Sequence, residues 1–187
     1  MVRISPVVPE TATPDEAAAR QKIREAWGGV PNLWAVIARS PALTEAVLAF
    51  GRALEKGVFS GAISEQLAIA VANENRCPYC LAGHTAAGLA RGLDAEAVAD
   101  ARAARSADPK TEAALRFVQA VVRERGHVSD ADLAAARAAG WDDGAIVELV
   151  GHATATILTN YLHHLSQVPV DFPSVPFAEA VDASVAA

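Results

Sequence analysis

The chain has 187 residues, a formal net charge of −6 and a sequence pI near 5.3, with 52% hydrophobic and 20% charged residues. This composition is typical of one globular domain with terminal extensions, and the acidic balance excludes the basic surface of a nucleic-acid-binding protein. No stretch approaches the roughly 20 apolar residues of a membrane span, and residues 1–10 do not resemble a signal peptide. We therefore expect a cytoplasmic protein that binds neither nucleic acids nor membranes.

Helix-start signals recur along the chain. Thr13, Pro14 and Glu16 combine a cap, a proline at the first helical position and a capping-box glutamate, which predicts a helix that ends near Trp27. Further caps are expected at Ser40, Ser64, Cys77, Asp94, Asp108, Ser129 and Asp142 or Asp143, and helix stops at Gly57, Gly92, Gly126 and Gly140. No segment alternates as a strand would. The pattern predicts an all-α single domain, a helical bundle of about eight helices with no sheet.

We divide the chain into three parts: residues 1–24 as an N-terminal extension and first helix, residues 25–167 as the main domain, and residues 168–187 as a proline-rich tail. The longest helix is predicted from Gly144 to about Ser166, as a core or interface helix. Its apolar face carries Ile146, Leu149, Val150, Ala153, Ile157 and Tyr161. The tail, from Val168 onward, is too rich in proline for a helix and is expected to be extended, to wrap over the domain or a neighbouring subunit, and to be disordered over its last ten or so residues.

The two cysteines, Cys77 and Cys80, favour a reactive or metal-binding role, because a disulfide between them would close too small a loop to stabilise the fold. Cys77 caps a predicted helix that Pro78 begins, so both thiols lie at the positive end of a helix dipole, where the thiolate is favoured. His84 follows Cys80 by one helical turn. It is placed to take or relay a proton, and the three side chains are expected to meet one small molecule.

The same segment allows two other interpretations. A zinc site would take Cys77, Cys80 and His84 as three ligands and need a fourth from Glu65, His152, His163 or elsewhere in the chain. Three candidate ligands within eight residues are closer together than zinc sites usually place them, which disfavours this interpretation. The segment Cys77-Pro78-Tyr79-Cys80 also matches the active-site tetrapeptide of glutaredoxins, but a thioredoxin-like fold needs βαβ units that this chain does not offer.

A family resemblance rests on the same residues. Glu65, eleven intervening residues, Cys77, two residues, Cys80, three residues and His84 resemble the signature of the alkylhydroperoxidase D branch of the carboxymuconolactone decarboxylase superfamily. The flanking segments are similar to the peroxidase-related members of that superfamily: Pro31-Asn32-Leu33, Ser40-Pro41-Ala42-Leu43, Asn160 and Val168-Pro169-Val170-Asp171.

The resemblance implies an alkylhydroperoxidase D-like fold for residues 25–167, assembly into homotrimers or hexamers, and no cofactor or metal. It also implies reduction of organic or hydrogen peroxides through a dithiol/disulfide cycle, with a thiol or dihydrolipoyl-type reductant as the electron donor. Cys80 would be the peroxidatic thiol and Cys77 the resolving thiol, with Glu65 and His84 as the proton relay. Alternatives within the same fold are a redox-sensing or binding module without efficient turnover and a decarboxylase-type protein.

One position departs from the family pattern, because Tyr79 stands where the best-known members have a second histidine. The proton relay is therefore expected to be altered or the activity weaker. Three aromatic residues are expected in the core, with an apolar peroxide pocket as the alternative: Trp27, Trp34 and Phe50. Of the remaining histidines, His152 is predicted to be a satisfied core or interface residue, and His163 and His164 a solvated pair.

Overall fold

The structure, a computed structural model, describes residues 1–178. Those residues form nine α-helices and no strand, after a short 3₁₀ turn at Pro9–Thr11. The helices are α1 (Pro14–Trp27), α2 (Asn32–Ile37), α3 (Pro41–Leu54), α4 (Ala62–Glu74), α5 (Pro78–Ala90), α6 (Ala95–Arg102), α7 (Pro109–Arg123), α8 (Asp130–Ala138) and α9 (Asp143–Ser166). The all-α prediction is confirmed. The additional helix is α2, whose six residues begin without a side-chain cap and so gave no start signal.

Most predicted caps lie where the sequence places them. The Thr13 hydroxyl accepts a hydrogen bond from the Glu16 N–H, and the Glu16 carboxylate accepts one from the Thr13 N–H, which completes the capping box. The cap predicted at Ser64 is wrong, because α4 begins after Gly61, whose φ of 74° suits a residue without a Cβ. Ser64 lies inside the first turn and donates its hydroxyl to the Gly61 carbonyl at 2.7 Å.

Helix α4 is the centre of the molecule. Every residue from Glu65 to Asn73 is buried, and the helix packs against α5, α6, α7 and α9. A helix that is enclosed on all sides must be mostly apolar all round, which the segment from Leu67 to Ala72 is. The buried polar residues of this stretch are Glu65, Gln66 and Asn73, and buried polar groups need specific partners inside the protein.

Helix α9 is the longest helix and only part of its predicted apolar face is enclosed. Ile146, Leu149 and Ala153 are buried, whereas Val150 and Tyr161 are 39% and 59% exposed. The prediction of a core helix is therefore right for one side of α9 only. Within residues 1–178, no helix combines the length and apolarity that crossing a bilayer requires.

The strap, defined here as residues 167–178, is extended and lies over the protein's own helices. Gln167 ends α9 in the left-handed region with a φ of 53°, which turns the chain back toward α2. The Asn32 N–H donates to Asp171 Oδ2 at 2.7 Å, and the Ala178 N–H donates to Asn73 Oδ1 at 2.9 Å. The strap thereby supplies the partner that Asn73 needs. Residues 179–187, on which most of the expected disorder falls, lie outside the described residues.

Candidate active site

The turn between α4 and α5 positions both cysteines. Arg76 adopts a φ of 53°, and the Cys77 N–H donates to the Ala72 carbonyl at 2.9 Å, which closes α4 and reverses the chain at once. Pro78 begins α5, and Cys77 Sγ accepts the Cys80 N–H at 3.5 Å as the helix cap. The predicted geometry, with both cysteines at a helix start, is therefore what the chain forms. Both are free thiols in this structure.

Glu65 and His84 form a hydrogen-bonded pair, with 2.8 Å between Glu65 Oε2 and His84 Nδ1. Arg91 Nε lies 3.2 Å from the other carboxylate oxygen of Glu65. Burial raises the pKa of Glu65, but the hydrogen bond and charge of His84 and the charge of Arg91 outweigh this, so its pKa is lowered. The carboxylate is therefore ionised inside the protein.

The same hydrogen-bonded pair raises the pKa of His84. Burial lowers the pKa of His84, but the hydrogen bond to Glu65, the charge of Glu65 and the charge on Cys80 outweigh it and raise its pKa. The His84 side chain is 33% exposed, so its protons can exchange with solvent. His84 is thus suited to hold a proton beside Cys80.

Cys80 is the more acidic of the two thiols. A hydrogen bond from Cys77 is the main cause, and the charge of His84 and the polar side chains of Thr159 and Asn160 add to it against burial, lowering the pKa of Cys80 from 9.0 to about 6. The Thr159 hydroxyl lies 3.6 Å from Cys80 Sγ. With 4% of its surface exposed, Cys80 is a thiolate at neutral pH that touches solvent only at its edge.

Cys77 differs from Cys80 in both its exposure to solvent and its acidity. It is fully enclosed, and its hydrogen bond to Cys80, together with burial, raises its pKa. The expectation that Cys77, Cys80 and His84 all meet one small molecule is therefore wrong for Cys77, because the N-cap position lies beneath the helix end.

His163 is buried, so the prediction that it is solvated is wrong. It is 7% exposed, and its Nδ1 lies 3.7 Å from Cys77 Sγ, while only its neighbour His164 is exposed as predicted. The strap covers it, since the Val168 carbonyl lies 3.1 Å from His163 Nε2. A signal was present in the sequence: Thr156, Asn160 and His163 recur at helical spacing and form a polar stripe on an otherwise apolar helix.

His152 is buried, as predicted, but it is not satisfied. Its Nε2 lies 3.7 Å from Glu148 Oε1, which is too long for a hydrogen bond, and has no other partner among the described residues. Burial lowers its pKa against the opposing effect of the Glu148 and Glu55 charges. His152 is therefore a neutral core histidine that packs edge-on against Phe59, with 5.9 Å between the ring centroids.

Tyr79, the departure from the family pattern, connects α5 to the surrounding structure. Its hydroxyl accepts the Leu33 N–H at 3.1 Å, and its ring packs edge-on against Phe172 of the strap at 5.6 Å. Burial and the nearby Asp171 carboxylate raise the pKa of Tyr79, so the phenol keeps its proton. Tyr79 is a structural link at the position where the resemblance led us to expect a second histidine.

The aromatic residues expected in the core are mostly at the surface. Trp27 and Phe50 are 54% and 39% exposed, and Trp27 stacks on the partly buried Trp34 with 5.2 Å between the ring centroids. That prediction is wrong for Trp27 and Phe50, because no element of the described chain covers this side of α1 and α3. A groove lined by Glu112, Arg116 and Phe117 lies between α7 and α8 and contains none of the predicted site residues.

The four-ligand arrangement of a zinc site is not assembled among residues 1–178, where no group of three histidine, cysteine or acidic side chains converges as metal ligands do. Glu65 and His84 are instead bound to each other, and the cysteine that His163 contacts is Cys77. The predicted residues thus form two adjoining units: the acidic thiol Cys80 with the Glu65 and His84 pair, and the enclosed thiol Cys77 with His163.

Comparison with known proteins finds a family whose sequence profile matches the part of the chain that holds this site. The sequence profile of the carboxymuconolactone decarboxylase family matches residues 41–123, a span that includes Glu65, Cys77, Cys80 and His84. A search of curated protein sequences found no significant match.

Solved structures share the fold at low sequence identity. An uncharacterized peroxidase-related protein from Silicibacter sp. TM1040 superposes with a TM-score of 0.75 at 21% identity, over 89% of this chain and 91% of that one. The alkylhydroperoxidase core of an uncharacterized peroxidase-related protein from Ralstonia eutropha JMP134 does so with a TM-score of 0.75 at 22% identity, over 91% and 92%. The debrominase Bmp8 has a TM-score of 0.73 at 15% identity, over 90% and 91%. Residues 41–123 therefore resemble the carboxymuconolactone decarboxylase family in sequence, and the chain adopts the alkylhydroperoxidase D-like fold of these solved structures.

Proposed function

We propose that the protein is a thiol-dependent peroxidase that reduces organic or hydrogen peroxides through a Cys77–Cys80 dithiol/disulfide cycle. The observation that carries this proposal is the Cys80 thiol, whose pKa is lowered to about 6 at the start of α5, beside the hydrogen-bonded pair of His84 and Glu65. A peroxidatic thiol must be ionised and must have a proton donor within reach for the leaving oxygen. Cys80 and His84 supply these two requirements.

In the first step the Cys80 thiolate attacks one peroxide oxygen. The sulfur–oxygen bond forms as the oxygen–oxygen bond breaks, Cys80 becomes a sulfenic acid, and the departing alkoxide or hydroxide takes a proton from His84. The Glu65 carboxylate, bound to Arg91 at 3.2 Å, stabilises the protonated His84 before this transfer. The products are an alcohol or water and the oxidised Cys80.

In the second step Cys77 attacks the Cys80 sulfur, water leaves and the disulfide forms. The Cys80 N–H already lies 3.5 Å from Cys77 Sγ, so the two residues are adjacent before reaction. A thiol or dihydrolipoyl-type reductant would then supply two electrons and two protons to restore both thiols. Enclosure of the pair limits further oxidation of the sulfenic acid by a second peroxide.

We also propose that the protein works in the cytoplasm as a homotrimer or hexamer. Support for assembly comes from α9, where Val147, Tyr161 and Leu165 are 71%, 59% and 47% exposed. Large apolar side chains along one side of a helix are typical of an interface. Light scattering of the purified protein tests this, and a monomeric mass at micromolar concentration would contradict it.

A redox-sensing module is a second candidate, and the burial of the pair favours it. Cys77 is fully enclosed and Cys80 is 4% exposed. A reductant would therefore reach the disulfide slowly, and the disulfide would persist after oxidation. The two candidates differ in turnover with excess reductant, since a peroxidase cycles many times and a sensor once. The brominated compound 2,3,4-tribromopyrrole is a further test substrate, because one structure of the debrominase Bmp8 contains it.

The deciding experiment is stoichiometric. The reduced protein receives an equimolar amount of cumene hydroperoxide, and free thiols, intact mass and zinc content are followed together. The proposal expects rapid loss of both thiols and of the mass of two hydrogens, with no dependence on metal. Unreacted thiols with zinc bound in equal amount would overturn it. Bromide release from 2,3,4-tribromopyrrole without peroxide consumption would move the function to dehalogenation.

Cys80→Ser and Cys77→Ser serve as each other's controls, since both replace one sulfur with oxygen within the same turn. Cys80→Ser should abolish peroxide consumption. Cys77→Ser should leave a single turnover and a sulfenic acid that dimedone traps on Cys80. Reversed results would exchange the roles of the two thiols.

A further inference from the structure

We propose that His163 is the base that removes the proton from Cys77 when the resolving thiol attacks the oxidised Cys80. This inference deepens the peroxidase proposal and rests on it. His163 lies outside the signature residues, on a different helix, and is brought to the pair only by the packing of α9 against α5.

The contact between the two side chains is enclosed. His163 Nδ1 lies 3.7 Å from Cys77 Sγ, and the two residues are 7% and 0% exposed. A distance of this length suits a hydrogen bond to a sulfur atom, whose radius exceeds that of oxygen. Because no bulk water reaches Cys77, a proton that leaves its sulfur must pass to a protein group.

The strap fixes which ring nitrogen can accept that proton. The Val168 carbonyl lies 3.1 Å from His163 Nε2, and a carbonyl oxygen only accepts hydrogen bonds. Nε2 therefore carries the hydrogen in the neutral ring, which leaves the lone pair on Nδ1, facing Cys77. The ring is held in this orientation against Tyr79, with 5.2 Å between the centroids and 33° between the planes.

Charge on the ring is disfavoured by its surroundings. Burial and the neighbouring His164 lower the pKa of His163, against the opposing effect of the Val168 hydrogen bond. The titratable groups that face it are Cys77 and Tyr79 from α5 and His164 from its own helix. At neutral pH His163 is therefore an uncharged acceptor.

A base is needed because the pKa of Cys77 is raised by its hydrogen bond to Cys80 and by burial. In the reduced protein the Cys77 thiol donates to the Cys80 thiolate. Once Cys80 is a sulfenic acid, that negative charge is gone, and the acceptor that remains beside Cys77 is Nδ1 of His163. Oxidation of one thiol thus redirects the proton of the other.

The step balances. After the first step His84, which is 33% exposed, regains a proton from solvent. The Cys77 proton then moves to His163 Nδ1 as the sulfur electron pair forms the bond to Cys80, the sulfur–oxygen bond of the sulfenic acid breaks, and the hydroxide that leaves takes the new proton of His84 to become water. Two histidines then serve two thiols. His84 protonates the leaving group and His163 activates the attacking sulfur.

The test separates the two chemical steps in His163→Gln, with His164→Gln as the matched control on the adjacent exposed position. Rapid mixing with cumene hydroperoxide should show sulfenic acid forming at the wild-type rate in both variants. Disulfide formation should slow by about 10²-fold in His163→Gln alone, so that dimedone traps Cys80. A wild-type rate of disulfide formation in His163→Gln would overturn the inference.

Two further readouts keep the outcome interpretable. If Cys77→Ser forms no sulfenic acid with peroxide, the peroxidase proposal itself fails, which differs from a failure of the second step. Should His163→Gln not fold, ¹⁵N NMR of the wild-type imidazole decides: the inference requires the hydrogen on Nε2 of His163 at neutral pH, and a hydrogen on Nδ1 in the reduced protein would refute it.

Discussion

Replacing Cys77 should raise the pKa of Cys80, because the hydrogen bond from Cys77 is the main cause of its acidity. A pKa lowered from 9.0 to about 6 corresponds to a preference of about 4 kcal/mol for the thiolate. A hydrogen bond to a charged group contributes about 1.5–3 kcal/mol, or about one to two pKa units. Cys77→Ala should therefore move the pKa of Cys80 to about 7–8.

The assay is the absorbance of the thiolate at 240 nm as a function of pH, together with the rate of alkylation of Cys80. At pH 7 the ionised fraction should fall from about nine-tenths in the wild type to between about one-tenth and one-half in Cys77→Ala. Alkylation at that pH should slow in proportion. Because the wild-type thiols are coupled, the first macroscopic titration step is the one to compare.

Cys77→Ser is the matched control, since serine keeps a hydroxyl donor and remains a good helix cap for α5. Its Cys80 pKa should lie between those of the wild type and Cys77→Ala. Circular dichroism checks that α5 is intact in both variants. A first wild-type titration step near 9.0, or an unchanged step in Cys77→Ala, would show that the Cys77 hydrogen bond does not set the acidity of Cys80.

Three further predictions concern the same region. Glu65→Gln should lower the pKa of His84, because the carboxylate that stabilises the protonated imidazole against burial is then gone, and NMR titration of the imidazole measures this. The same variant should slow peroxide reduction by about 10²-fold, which rapid-mixing kinetics measure. Tyr79→Phe should cost about 1–3 kcal/mol of stability to urea, because the buried Leu33 N–H loses its acceptor, while a slower peroxide step at unchanged stability would argue for a chemical role of the phenol. The pKa of Cys80 is lower in the folded than in the unfolded chain, so the stability that its thiolate contributes is complete above about pH 9 and is lost as the pH falls through about 6. The difference in free energy of unfolding between wild type and Cys80→Ala should therefore grow from pH 6 to pH 9 by up to about 1.4 kcal/mol per pH unit. A difference that stays constant over this range would contradict the lowered pKa.

Local signals predicted the helices well because they depend on neighbouring residues. The capping box of Thr13 and Glu16 and the cap at Cys77 form as expected. The cap at Ser64 failed because the left-handed backbone of Gly61 starts α4 earlier, and a serine three residues later has no distinct pattern of its own. Helix α2 has no local start signal, because it is short, its N-cap residue offers no side-chain hydrogen bond, and the side chain that accepts its first N–H is Asp171, far along the chain.

The candidate site could be predicted in part for the same reason. Cys77, Cys80 and His84 lie on one turn and its continuation, so helical spacing places them together. The contact of His163 with Cys77 depends on the strap, which folds back at Gln167 and covers a position that helical periodicity assigns to solvent. The polar stripe of Thr156, Asn160 and His163 is visible in the sequence, but tertiary packing decides whether solvent or another segment covers it.

The sulfur cap of α5 has a consequence for observing the protein's redox state. In the reduced form the Cys80 amide hydrogen is held by Cys77 Sγ at 3.5 Å. A sulfur bonded to a second sulfur is turned toward that partner and is a poorer acceptor, so the first turn of α5 loses its cap when the disulfide forms. Deuterium exchange at the Cys80 amide should then be faster in the oxidised protein, which makes a single backbone position a label-free reporter of oxidation.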